Sequence, residues 1–101
     1  MNQLSLNEII WQVVALIPAG KVTTYGQIAK LCGYPNHARY VGATLKQLPD
    51  DSELPWYRVV NAKGEIAFPV GSAAFLRQKS LLEKEAVQFE GNKINLSKYR
   101  W

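Results

Sequence analysis

Few side chains in this chain of 101 residues can do covalent chemistry. It has one cysteine, Cys32, and one histidine, His37. A thiol attacks as its thiolate, which needs a neighbouring base or cation to lower its pKa. Cys32 closes an apolar helical stretch, where a cysteine ordinarily serves as a small buried hydrophobe. The turn between Cys32 and His37 is expected to point the two side chains at different neighbours. One cysteine and one histidine build neither a disulfide framework nor a Cys/His metal cluster. There is no nucleophile triad, no paired acids within a motif and no phosphate-binding glycine loop, so neither a metal nor a cofactor is expected. The stretch with the most character is aromatic and basic instead: Pro55-Trp56-Tyr57-Arg58-Val59-Val60. The lone pair of the Trp56 nitrogen belongs to the ring, and Tyr57 is a poor base near neutral pH. An indole here can be core, an interface anchor or a stacking surface, and burial is the commonest fate of such a residue. Arg58 reads as a structural partner in an ion pair or hydrogen bond.

Several elements must position these residues. Pro55 favours extended geometry before it, so residues 57–60 are expected to form a short strand, with Asn61-Ala62-Lys63-Gly64 as a turn. Upstream, Ser5-Leu6-Asn7-Glu8 has the capping-box pattern. Leu6, Ile9, Ile10, Val13, Val14 and Ile17 then recur at helical spacing until Pro18-Ala19-Gly20. Lys21-Val22 reads as extended, and Thr24-Tyr25-Gly26-Gln27 is a second capping box opening a helix that stops at Cys32-Gly33. After the turn Gly33-Tyr34-Pro35-Asn36, a third helix is expected over residues 37–46. Two short helices around a glycine-containing turn are a helix-turn-helix candidate. Ala38, Gly42 and Ala43 would let the third helix approach a duplex closely, with Arg39 and Lys46 on nearby turns for phosphates. Residues 47–54 form a polar loop carrying three acids, expected to face away from any phosphate backbone or at least to be mobile. Residues 64–71 form a loop bracketed by glycines. Ser72 caps a fourth helix to about residue 86, with Arg77, Lys79, Glu83 and Lys84 on a wet face. Residues 87–96 read as two short strands around Gly91-Asn92, like the wing of a winged helix.

Composition sets the outer limits. The length fits one domain, residues 1–101, and a hydrophobic fraction of 48% allows a core without disulfides or metal. Twelve Lys and Arg against eight Asp and Glu give a net charge of +4, compatible with nucleic acid without requiring it. The start, Met1-Asn2-Gln3-Leu4-Ser5, lacks the pattern of a secretory signal, and no apolar run approaches the ~18–20 residues that span a bilayer. A reducing, cytoplasmic setting and a monomer are expected.

Pro55-Trp56-Tyr57-Arg58-Val59 resembles the Pro-Cys-His-Arg-Val active-site motif of the O6-alkylguanine-DNA alkyltransferases, with Trp56 where those enzymes hold the acceptor cysteine. That replacement marks the alkyltransferase-like proteins. The resemblance runs from about Asn7 to Trp101. It includes Pro18-Ala19-Gly20-Lys21-Val22-Thr23-Thr24-Tyr25-Gly26-Gln27-Ile28-Ala29, Ala38-Arg39-Tyr40-Val41-Gly42 and Leu96-Ser97-Lys98-Tyr99-Arg100-Trp101. It implies an α+β, mostly helical fold of the winged-helix, helix-turn-helix kind. It also implies a sensor that is not an enzyme: it binds duplex DNA containing O6-alkylguanine through the minor groove, flips the base out and leaves the alkyl group in place. Nucleotide excision repair proteins are the implied partners.

Residue by residue, the resemblance makes Arg39 the side chain that enters the duplex in place of the flipped nucleotide. Tyr25 crowds the target phosphate, and Gly42 and Lys46 pack along the backbone. Trp56, Tyr57, Val59 and Phe68 belong to the lesion pocket, with backbone groups near Trp56 and Val59 meeting the base edge and residues 64–71 closing over it. Tyr57 stands in place of the enzymes' histidine, and Ala67-Phe68-Pro69 lacks the basic residue that some relatives carry in this loop. Two other readings stay open: a transferase using Cys32, and a winged-helix DNA-binding protein without lesion preference.

Overall fold

A computed structural model describes residues 4–101; residues 1–3, part of the stretch read for a secretory signal, lie outside it. The capping patterns become helix starts. Ser5 Oγ accepts from the Glu8 N–H (3.2 Å) and donates to the Glu8 carboxylate (3.1 Å), opening α1, Leu6–Ala15. Thr24 Oγ1 accepts from the Gln27 N–H (3.1 Å) at the start of α2, Tyr25–Leu31. Ser72 Oγ accepts from the Phe75 N–H (3.2 Å) before α4, Ala73–Lys84. Each serves donors that the first helical turn leaves unpaired. Helix α3, Ala38–Lys46, follows His37, whose side chain makes no capping bond. Gly33, at φ +88°, ends the turn of α2 and lets the chain swing into the second half of the helix-turn-helix.

The strands are short. β1, Thr23–Thr24, pairs in parallel with β2, Val59–Val60, in the register Thr23 to Val59 and Thr24 to Val60. β3, Phe89–Glu90, and β4, Lys93–Ile94, form the antiparallel wing. A last helical turn, α5, Leu96–Tyr99, brings the tail back so that Val22 accepts from the Trp101 N–H (2.9 Å) and donates to Tyr99 O (2.9 Å). Among the described residues no helix is long and apolar enough to cross a membrane.

Two expectations need correction. Residues 57–60 are not all strand: Trp56–Arg58 form a 3₁₀ turn, closed by the Arg58 N–H on Pro55 O (3.1 Å), and only Val59 and Val60 are extended. The reason is tertiary. The Arg58 guanidinium reaches the Glu85 carboxylate through Nε (2.9 Å) and Nη2 (2.5 Å), and Ile17 O through Nη1 (2.7 Å). Those contacts hold the turn against its local β-propensity. Extended Lys21-Val22 also shifts: the paired strand is Thr23–Thr24, and Val22 bridges to Arg100.

The core has two parts. Ile10, Val14, Ile17, Ile28, Val41 and Leu45 gather between α1, α2 and α3, with Val59 among them. Val22, Leu82, Val87 and Ile94 gather between α4 and the wing, with Val60 among them. Successive residues of a strand point to opposite faces, so Val59 and Val60 tie one cluster to the other. The 3₁₀ turn bearing Trp56 thus grows directly from the seam of the molecule.

Candidate nucleic-acid interface

The Trp56 turn is fixed from both sides. Gln78, wholly buried on α4, donates through Nε2 to Tyr57 O (3.0 Å) and Val59 O (3.1 Å). Glu85 accepts from Arg58, from the Tyr57 hydroxyl (2.7 Å) and from the Gly20 N–H (3.0 Å). Burial works against the charge on Glu85, but Arg58, the Gly20 amide and the Tyr57 hydroxyl outweigh it and bring its pKa down to about 2. The motif therefore sits on a closed ionic staple, and the Trp56 ring projects from a rigid base.

Trp56 and Phe68 line a cavity of about 290 Å³ together with Leu45, Leu48 and Ala74. The two rings stand edge to face, 6.4 Å apart at 83°. Two cations border it: the Arg77 guanidinium carbon lies 5.6 Å from the centre of the Trp56 ring, and Lys46 Nζ lies 5.6 Å from that of Phe68. The volume is close to the lower end of small-molecule sites, ~300–1,000 Å³, and the walls are aromatic and apolar. Such a hollow suits a flat ring.

Beside it runs a groove of about 520 Å³, lined by Tyr25, Arg39, Gly42 and Lys46 with Ala38, Ala43 and the Asn61-Ala62 turn. The parallel pairing of β1 with β2 brings the start of α2, hence Tyr25, alongside that turn. Gly42 lies under the Tyr25 ring: a Cβ built there would stand 3.7 Å from Cδ1 and Cε1, an ordinary contact. Burial pushes the Tyr25 hydroxyl pKa up, so it stays a neutral donor. Lys46 borders both spaces.

Of the eight residues singled out from sequence, Tyr25, Arg39, Gly42 and Lys46 share the groove, and Trp56, Phe68 and Lys46 share the cavity. Tyr57 and Val59 are not brought into the cavity. Tyr57 turns its hydroxyl to Glu85, and its pKa is raised by burial and by that bond. Val59 is wholly buried, and its carbonyl is engaged by Gln78. Cys32 is half-buried, its thiol pKa pushed up by desolvation, while the exposed His37 ring packs edge-on against Tyr34 at 5.2 Å. Two contributors escaped the sequence reading. Arg77 is exposed, as expected of a wet face, and its guanidinium also lies over the Trp56 ring. From the acidic loop, Asp50 reaches the cavity rim, where its carbonyl O accepts from Arg77 Nη2 (2.6 Å).

Comparison with known proteins agrees with this geometry. The model of the 6-O-methylguanine DNA methyltransferase, DNA binding domain, matches residues 5–87. A DNA base-flipping protein of Escherichia coli (strain K12) is 48% identical over 98 residues, covering 96% of this chain and 74% of that one. Alkyltransferase-like protein 1 of Schizosaccharomyces pombe is 41% identical over 97 residues, covering 91% and 90%. The crystal structure of S. pombe Atl1 in complex with damaged DNA containing O6-carboxymethylguanine superposes with a TM-score of 0.89 at 39% identity, covering 100% of this chain and 98% of that one.

Proposed function

Because the chain belongs to the family of alkyltransferase-like, DNA base-flipping proteins, we propose that it is a sensor of O6-alkylguanine in duplex DNA that works without alkyl transfer. The observation that carries this reading is the juxtaposition of the Tyr25–Arg39 groove with the aromatic cavity at Trp56, the two separated by Lys46. A base inside a duplex is hidden in the stack and must be rotated out to be read. Helix α3 lies along the minor groove, Arg39 fills the space the base leaves, and Tyr25 crowds the target phosphate. The flipped base enters beside Trp56, with Phe68 as an apolar wall for the alkyl group.

Removal of the alkyl group would require a thiolate. At the motif stands an indole, and the hydroxyl of its neighbour Tyr57 stays protonated and donates a hydrogen bond to Glu85. Cys32, with a raised pKa, is a poor nucleophile. The output is then persistence: a single cytoplasmic domain, acting as a monomer, holds the lesion and bends the DNA until nucleotide excision repair proteins take over.

The experiment compares binding to two duplexes identical except for one O6-methylguanine, at matched salt, with label from the methyl group followed on the same samples. Preference for the lesion with all label left on DNA is expected. Equal affinity would leave a winged-helix DNA-binding protein without lesion preference. Label on the protein, lost in Cys32→Ser, would instead make it a transferase.

A further inference from the structure

The lesion reading gives Arg77 no task, yet its guanidinium is held on several sides. It lies over Trp56 at 5.6 Å, and Nη2 donates to Asp50 O at 2.6 Å. Ordering a long side chain that is still about half exposed (48%) costs up to ~2 kcal/mol of rotamer entropy, so its placement has to be maintained by contacts. Those contacts are uneven. Nη1 faces the Asp50 carboxylate only across 3.8 Å, through a single oxygen, and that carboxylate is fully exposed. A guanidinium satisfied by a carboxylate makes two parallel bonds of about 2.7–2.9 Å. Arg77 is thus anchored by a carbonyl and leaves a donor edge loosely covered, at the rim of a cavity that a second cation, Lys46, also borders over Phe68. Asp50 is the acid among the described residues that lines this cavity.

We infer that Arg77 forms a carboxylate subsite at the rim of the Trp56–Phe68 cavity, so that it draws in O6 substituents ending in an anion and favours them over a neutral methyl group; this deepens the lesion reading above and rests on it. Asp50 serves as the placeholder. An incoming carboxylate takes Nη1 and displaces the exposed Asp50 side chain, while the Asp50 carbonyl keeps Nη2 in position. Exchanging a screened, one-point contact for a charge-assisted pair offsets the desolvation of the anion, which an apolar cavity alone would penalise. A methyl group draws nothing from Arg77.

The test measures binding of the intact protein to three duplexes identical except at one base: guanine, O6-methylguanine and O6-carboxymethylguanine. Salt is fixed, and Arg77→Met and Asp50→Asn are compared with wild type. The quantity read is the ratio of carboxymethyl to methyl affinity. It is expected to fall about tenfold in Arg77→Met and to rise by a factor of about two to five in Asp50→Asn. An unchanged ratio in Arg77→Met, or equal weakening on all three duplexes as for a phosphate contact, overturns the subsite. If Arg77→Met fails to fold, a ratio unmoved by Asp50→Asn overturns it as well. Wild type binding guanine and O6-methylguanine alike is a different failure: it removes the lesion reading, and the subsite with it.

Discussion

At the scale of single residues, the account assigns Arg39 and Gly42 to the DNA and leaves them little to do in the fold. Arg39 is exposed on α3. Arg39→Ala is expected to reduce affinity for an O6-methylguanine duplex by on the order of 1–3 kcal/mol, with unchanged thermal stability, because the vacated stack is no longer filled. Titration alongside a melting curve checks both halves. Gly42 makes a sharper case. A glycine inside a helix costs roughly 0.5–1 kcal/mol relative to alanine, and a Cβ here would meet only the Tyr25 ring at 3.7 Å. Gly42→Ala should therefore raise stability by up to about that amount while weakening DNA binding, since the methyl points into the groove. A variant more stable and equally tight would show that no close backbone approach occurs at this point. Arg77 teaches the limit of reading single residues from sequence. An arginine on the outside of an amphipathic helix looks like solvated charge whether it faces water or an indole two elements away.

At the scale of elements, the local signals were legible and the distant ones were not. The caps at Ser5, Thr24 and Ser72 could be read because a hydroxyl three residues before its partner amide is a sequence-local device. The helix-turn-helix and the wing could be read for the same reason. The Trp56–Arg58 turn could not, because what holds it is Glu85, 27 residues beyond Arg58. That staple has a pH signature. The Glu85 pKa in the folded protein, about 2, lies below the ordinary carboxylate value of 4.5, so its contribution is complete above the unfolded-state pKa and is lost as the pH falls from about 5 towards 2. The loss should be on the order of 3 kcal/mol. Glu85→Gln should cost about 3 kcal/mol at pH 7 by leaving Arg58 unpaired, and should flatten the acid limb of the stability curve. Urea unfolding from pH 7 down to 2 measures both, and a mutant curve parallel to wild type would contradict the assignment.

At the scale of the whole molecule, a net charge of +4 becomes informative only once its placement is known. Arg39 and Lys46 share the groove on α3, and Lys46 also borders the cavity. Lys46→Ala is expected to weaken binding to damaged and undamaged duplexes and to lower the slope of log affinity against log salt by about one. Salt titrations of both duplexes would show it, and an unchanged slope would take Lys46 off the phosphates. The Trp56 motif points to this face of the molecule, but Arg77 comes to the cavity only through the packing of α4 against the turn, which no local pattern encodes. The central claim is that a base leaves the stack and lodges beside Trp56. Its most direct test places 2-aminopurine next to an O6-methylguanine and follows its fluorescence as protein is added. The account predicts a saturable rise with wild type, much reduced in Arg39→Ala and small on the undamaged duplex. Lesion-selective binding with no rise in fluorescence would contradict it.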